Sequence, residues 1–180
     1  MEKINLITEE IRSNANNLES AKRIFHGRGK TFADLEGLSI DSFNDSIMLT
    51  SFYDYGDEFY NEVVEAIFKI FPTTWQNVFL QKRFDNPTWI SLKGDDKSSI
   101  NIVENGLKFK VQIDSRQNLG FFLDMKNGRK YIRENSSNKK VLNLFSYTCS
   151  LSVAALAGRA DQVCNVDMSK GALSWGRDNH

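Results

Sequence analysis

Apolar positions along this chain follow several different rhythms, and each predicts an element. Ile4, Ile7, Ile11, Leu18, Ala21 and Phe25 recur at intervals of three, four and seven, which predicts one amphipathic helix behind a cap at Thr8. Leu38-Ser39-Ile40 and the run from Ile47 to Phe52 predict two short strands. Phe59, Val63, Ile67 and Ile70 return to helical spacing from about residue 57 to 71. Asp57 and Glu58 suit that helix's N-terminal dipole, and Pro72 closes it. Val78 to Phe84 and Thr88 to Leu92 read as strands around an Asn86-Pro87 turn. From Ser99 to Ile113, Ile100 and Ile102 alternate, Asn105-Gly106 supplies a type I′ turn, and Leu107, Phe109, Val111 and Ile113 alternate again. This predicts a β-hairpin with one buried face. Gly120 to Arg129 reads as a short strand and a turn.

The stretch from Lys139 to Lys170 is different. Val141-Leu142-Asn143-Leu144-Phe145 predicts a strand buried on both faces, as in a parallel sheet. Ser146-Tyr147-Thr148-Cys149-Ser150 then supplies hydroxyls and small side chains suited to a turn and a helix N-cap. Leu151 to Ala157 is helical in character and Gly158 stops it. Val163-Cys164-Asn165-Val166 is a second buried strand ending at Asp167. This is one β-α-β unit with an acid at its second strand tip. The loop after the first strand and the following helix N-terminus offer free N–H groups. An acid about 20 positions on can accept hydrogen bonds from both hydroxyls of a ribose, and Phe145 to Asp167 has that spacing. A nucleoside-bearing cofactor is the reading that follows. No glycine occurs between Phe145 and Ala157, so the close backbone approach that a pyrophosphate needs is disfavoured. S-adenosylmethionine (SAM) has no phosphates and fits a loop that bears side chains.

Composition narrows the picture. The 180 residues are enough for one ordinary domain or two small ones, and 41% hydrophobic content with 13 Phe is enough for a packed core. Lys plus Arg and Asp plus Glu number 23 each. That balance argues against gripping nucleic acid by bulk charge and leaves only local patches open. Cys149 and Cys164 show no metal spacing and read as packing residues in a reducing cytosol. No apolar run approaches the ~20 residues that span a bilayer, so a soluble cytoplasmic protein is expected, with no membrane and no metal.

LNLFSYTCSLSVAALAG, VCNVDMSKGAL and, upstream, GFFLDMKNGR resemble class I SAM-dependent methyltransferases. The similarity is greatest to the group that modifies large-subunit ribosomal RNA, making 5-methylcytosine or 7-methylguanine. It covers roughly the last third of the chain well and extends more loosely to RIFHGRG and the strand-rich stretch after it. The implied fold is an α+β N-terminal module, residues 1–115, followed from 116 to 180 by the start of an α/β Rossmann-like methyltransferase domain. The implied cofactor is SAM and the implied partner is RNA. The resemblance puts the ribose-binding acid at Asp167, the methionine end of the cofactor among Asn143, Phe145, Ser146, Tyr147 and Thr148, and the adenine against Met168. It also runs Asp124 and Arg129 beside the pocket, although Lys126 stands where the family commonly has Arg, and Ser150 where relatives often place Gly.

Each assignment has a structural alternative. Asp167 also suits a helix N-terminal acid beside Ser169; Phe145, core packing; Ser146, capping; Met168, gap filling; Asp124 and Arg129, an ion pair. Cys149 near SAM invites the role of thiolate nucleophile in cytosine C5 methylation, but no base or His adjoins it, so packing is preferred. His26-Gly27-Arg28-Gly29-Lys30, with Lys22 and Arg23, reads either as an RNA-phosphate contact or as a permissive loop, and the loop reading is favoured. Lys108, Lys110 and Gln112 either face RNA or form a solvated face. The chain stops at His180, inside the helix after the second strand. The expectation is therefore an N-terminal portion of a methyltransferase, whether a fragment, a truncated product or half of a split protein. Its catalytic residues would lie beyond residue 180, its open sheet edge would be covered by a missing part or an oligomer, and it would bind SAM weakly or not at all, without turnover. A non-catalytic RNA-binding module and a nucleotide-cofactor oxidoreductase fragment are the alternative functions.

Overall fold

The structure is a computed structural model describing residues 2–15, 20–114 and 118–179. It divides into two compact units, Met1–Ser98 with Ile113–Gln117, and Ser99–Gln112 with Asn118–His180.

The first unit contains α1 (Glu2–Asn14), β1 (Ala21–His26), β2 (Leu38–Phe43), β3 (Ser46–Ser51), α2 (Asp57–Ile70), β4 (Asn77–Lys82) and β5 (Thr88–Lys93). The strands form one sheet in the order β1-β2-β3-β4-β5. Neighbours are antiparallel except β3 and β4, which are parallel because α2 carries the chain across between them. Every residue of β2 and β3 is buried. Ile40, Leu49, Val78 and Leu80 meet Ile7 and Ile11 of α1 and Val63 and Ile67 of α2 in one core.

The long N-terminal helix expected from the apolar spacing is shorter. It ends at Asn14, whose amide donates to Glu10 Oε1 (2.7 Å) and to the Ile24 carbonyl (3.2 Å), tying the helix end to β1. Thr8 is inside the helix, donating to the Asn5 carbonyl, and caps nothing. Ala21 and Phe25 belong to β1, and Leu18 lies outside the described residues. A β-bulge between Arg23 and Phe25 buries Ile24 and Phe25 side by side. The bulge removes the two-residue alternation by which a strand is recognised.

The second unit opens with the hairpin β6 (Ser99–Glu104) and β7 (Leu107–Gln112), whose turn residues Asn105 and Gly106 both have positive φ. Leu123–Met125 then forms a 3-10 turn that leads into α3 (Lys126–Asn135), in place of the expected strand and turn. β8 (Lys140–Leu144), α4 (Ser150–Ala157), β9 (Gln162–Val166) and α5 (Lys170–Asp178) follow, with β8 and β9 parallel.

The hairpin groups with the C-terminal unit, where Ile102, Phe109 and Val111 lie buried and β7 packs on α4, and the rest of that unit begins at Asn118. β8 and β9 are covered on one face only. Val141, Asn143, Val163 and Asn165 are half-buried on one side, while Leu142 and Leu144 on the other are 61% and 56% exposed. Cys164 shares that exposed face and is not a packing residue, whereas Cys149 is buried.

Candidate cofactor site

The chain leaves β8 into a loop with an unusual backbone. Phe145, Tyr147 and Cys149 have φ of 56°, 49° and 61°, so three alternate residues with side chains lie in the left-handed region. Each such residue costs on the order of 1 kcal/mol, so the surroundings must impose the shape. Asp167, at the tip of β9, accepts the Tyr147 N–H at Oδ2 and the Ser169 N–H at Oδ1, both at 2.8 Å. Ser146 N–H donates to the Val166 carbonyl (3.1 Å). Thr148 Oγ1 donates to the Gly120 carbonyl, and the Asn179 amide donates to the Thr148 carbonyl (2.9 Å). Asn179 Oδ1 in turn accepts the Lys110 N–H (3.0 Å), tying β7 to the same loop.

Glycines let α5 and the upstream segment close on the loop. A Cβ on Gly176 would sit 2.5 Å from Cys149 Sγ, and one on Gly120 would collide with the Trp175 ring. Cys149 is therefore wedged under α5, and burial pushes its thiol above the ordinary range. That keeps it protonated and supports its packing role against a nucleophilic one. It also occupies the N-cap position of α4, with no side-chain cap bond, so the expected hydroxyl cap is absent. The hydroxyls go elsewhere. Ser152 of α4 donates to Asn165 Oδ1, and Ser146 Oγ is buried without a hydrogen-bond partner.

Phe145 and Met168 stand almost fully in solvent, 88% and 97% exposed, one beyond each strand tip. Tyr147 packs at a tilt against Phe122, 5.3 Å between ring centroids, and burial raises its phenol. Asn143 is turned under α4, where its amide donates to Ser152 Oγ (2.8 Å), and it supports the loop from beneath. Asp124 is exposed on the 3-10 turn. Arg129 is not paired with Asp124. It is buried and forks Glu104 of the hairpin, with Nε to Oε1 at 2.6 Å and Nη2 to Oε2 at 2.8 Å. Spacing alone does not single out Phe122, Asn179 or Glu104. Glu104 has a signal only in hindsight, as an acid on the buried face of an alternating strand.

The Asp167 carboxyl is held below its usual value, first by the Ser169 N–H and then by the Tyr147 N–H, so it is a carboxylate with free acceptor lone pairs. A carboxylate at a parallel-strand tip, facing the loop after the preceding strand, is the arrangement that receives a ribose. A family model for S-adenosylmethionine-dependent methyltransferases matches residues 22–180.

The chain belongs to this methyltransferase family.

Among its relatives, ribosomal RNA large subunit methyltransferase I of Aeromonas salmonicida is 33% identical over 81% of this chain and 38% of the relative. Ribosomal RNA large subunit methyltransferase K/L of Pseudoalteromonas translucida is 46% identical over 43% of this chain and 11% of the relative. The chain thus spans well under half the length of these curated relatives. A Streptococcus mutans structure described as a candidate SAM-dependent methyltransferase superposes with a TM-score of 0.85 at 25% identity, covering 98% of this chain and 48% of that one. A further methyltransferase structure, complexed with SAH, superposes at 0.84 with 25% identity, over 98% of this chain and 47% of that one. The class I methyltransferase fold and SAM as the family's cofactor follow from these matches. The residues around this loop are of the kinds that fit that cofactor. An unpartnered buried Ser146 hydroxyl, a carboxylate with open lone pairs and two exposed apolar side chains border one loop. No group of three or more metal-binding side chains occurs among the described residues, and no described helix is long and apolar enough to cross a membrane.

Proposed function

We propose that this chain carries the SAM-binding loop and the acceptor-side module of a methyltransferase that acts on RNA, with ribosomal RNA as the substrate class. The observation that carries the reading is the Asp167 carboxylate, fixed at the β9 tip by two backbone N–H groups and joined to the loop after β8. Its remaining lone pairs suit the two ribose hydroxyls by charge-assisted hydrogen bonds. Phe145 and Met168 offer apolar surface to the nucleoside, and Ser146 with the Thr148 backbone offers polar groups to the methionine end. Asp124, exposed on the 3-10 turn, is proposed to border the same pocket, while Asn143 holds Ser152 and α4 in place beneath it. When bound, the cofactor supplies a methyl group on a sulfonium. These residues hold and orient it for in-line displacement, where positioning accounts for much of the rate. The names of the relatives support RNA as the acceptor. Residues 1–115, or the first compact unit alone, are proposed to engage that acceptor. Leu142, Leu144 and Val166 present an apolar face suited to the further strands of such a domain or to a second chain.

Titration calorimetry of SAM into the 180-residue chain tests the reading. Saturable binding is expected, weakened on the order of tenfold or more by Asp167→Ala, since two charge-assisted hydrogen bonds would go with the carboxylate. Equal affinity in the two proteins would sink the assignment.

A further inference from the structure

Sequence alone favours a plain loop for residues 26–30. The fold changes that balance by bringing Arg83 to the same place as Arg28. Their guanidinium carbons lie 5.1 and 4.4 Å from the centroid of one ring, Phe52. The ring attracts each cation. The two cations repel each other, because they are separated by no more than about the ~10 Å screening length of 0.1 M salt. Arg83 is partly buried, and its guanidinium is lowered first by burial and then by Arg28. Among the described residues neither meets a carboxylate at ion-pair distance.

The neighbouring cations differ. Arg23 forks Asp41 at 2.7 and 3.0 Å, Lys22 Nζ donates to the Asn14 carbonyl, and Lys82 pairs with Asp57 at 2.8 Å. His26, exposed on the rim, is lowered by burial and then by Arg23 and Arg28. Arg23, Lys22 and Lys82 are thus engaged by oxygen acceptors, whereas among the described residues the two guanidiniums on Phe52 meet no carboxylate at ion-pair distance. Gly29, with φ +93° and nothing within 4 Å of a Cβ, leaves the tip beside Arg28 open.

We infer that Arg28 and Arg83, seated on Phe52, form a phosphate clamp for the backbone of an RNA acceptor. The inference rests on the RNA reading above and names a site for it. A guanidinium matches a phosphodiester bidentately, and an anion between two guanidiniums converts their repulsion into attraction. The aromatic seat holds both side chains partly in place before the ligand arrives.

The test is fluorescence anisotropy with a short labelled single-stranded RNA across a salt series, using the whole chain and its Arg28→Gln, Arg83→Gln and double variants. A surface-lysine control on α2, Lys69→Gln, and a SAM titration accompany each sample. The double variant should bind RNA on the order of tenfold more weakly at low salt, with a log–log salt slope smaller by about 0.7 for each phosphate no longer neutralised. Lys69→Gln should match the wild type, and SAM affinity should not change in any variant. Wild-type RNA affinity in the double variant, or an equal weakening in Lys69→Gln, would overturn the clamp. So would no RNA binding by the wild type, while the SAM titration reports separately on the cofactor loop. Binding of phosphatidylserine vesicles abolished in the same variants, with RNA binding intact, would also refute it.

Discussion

Replacing Arg129 by Met should be the most damaging single change in the second unit. Arg129 is 2% exposed and its fork to Glu104 is buried on both sides. Its Nη1 also donates to the Phe122 carbonyl (2.8 Å), and its guanidinium lies 4.0 Å from the Phe121 ring centroid. Removing one partner of a buried ion pair costs about 3–5 kcal/mol, chiefly because the other charge stays buried and unpaired. Loss of the cation–π interaction and of the carbonyl's donor brings the total to about 4–6 kcal/mol. That rivals the whole stability of a small domain. The same physics predicts a rescue: Arg129→Met with Glu104→Met removes both charges and should recover to within about 2 kcal/mol of wild type. The assay is urea unfolding followed by fluorine NMR of 5-fluorotryptophan protein, since Trp175 reports on the second unit and Trp75 and Trp89 on the first. The Trp175 midpoint should fall steeply in the single variant and return in the double. A single-variant loss under about 1 kcal/mol, or a double variant no better than the single, would refute the claim that the uncompensated charge dominates.

Three further outcomes follow from the loop. Gly176→Ala should destabilise the second unit by about 1–3 kcal/mol, as overpacking does; combining it with Cys149→Ala, which removes the sulfur 2.5 Å away, should restore much of the loss in the same urea assay. Iodoacetamide should label exposed Cys164 well before buried Cys149, whose thiol is raised by burial, and peptide mass spectrometry reads the order. Because the folded Asp167 carboxyl is depressed, its support of the loop is present above the ordinary Asp value of about 3.9 and lost as pH falls through the lower folded value. The Tyr147 amide resonance should accordingly titrate below about pH 3.9.

Local pattern carries much of this molecule. The hairpin over 99–113, the helix over 57–71 and the β-α-β unit from Val141 to Asp167 are legible because their periodicity and turn residues depend on neighbours in sequence. Asp167 is legible for the same reason: strand, loop, helix and acid stand in order along the chain. β1 is hidden inside a helical spacing because its bulge buries Ile24 and Phe25 together, a choice made by pairing with β2. The exposure of Leu142 and Leu144 depends on what packs over a sheet, which an apolar run does not record. Proximity in sequence points Arg129 toward Asp124, yet it pairs with Glu104 on the hairpin; Arg28 likewise gains Arg83 and Phe52 only through the sheet. A charge reveals its type in sequence. Its partner, its burial and therefore its energy come from long-range packing, which tertiary structure alone decides.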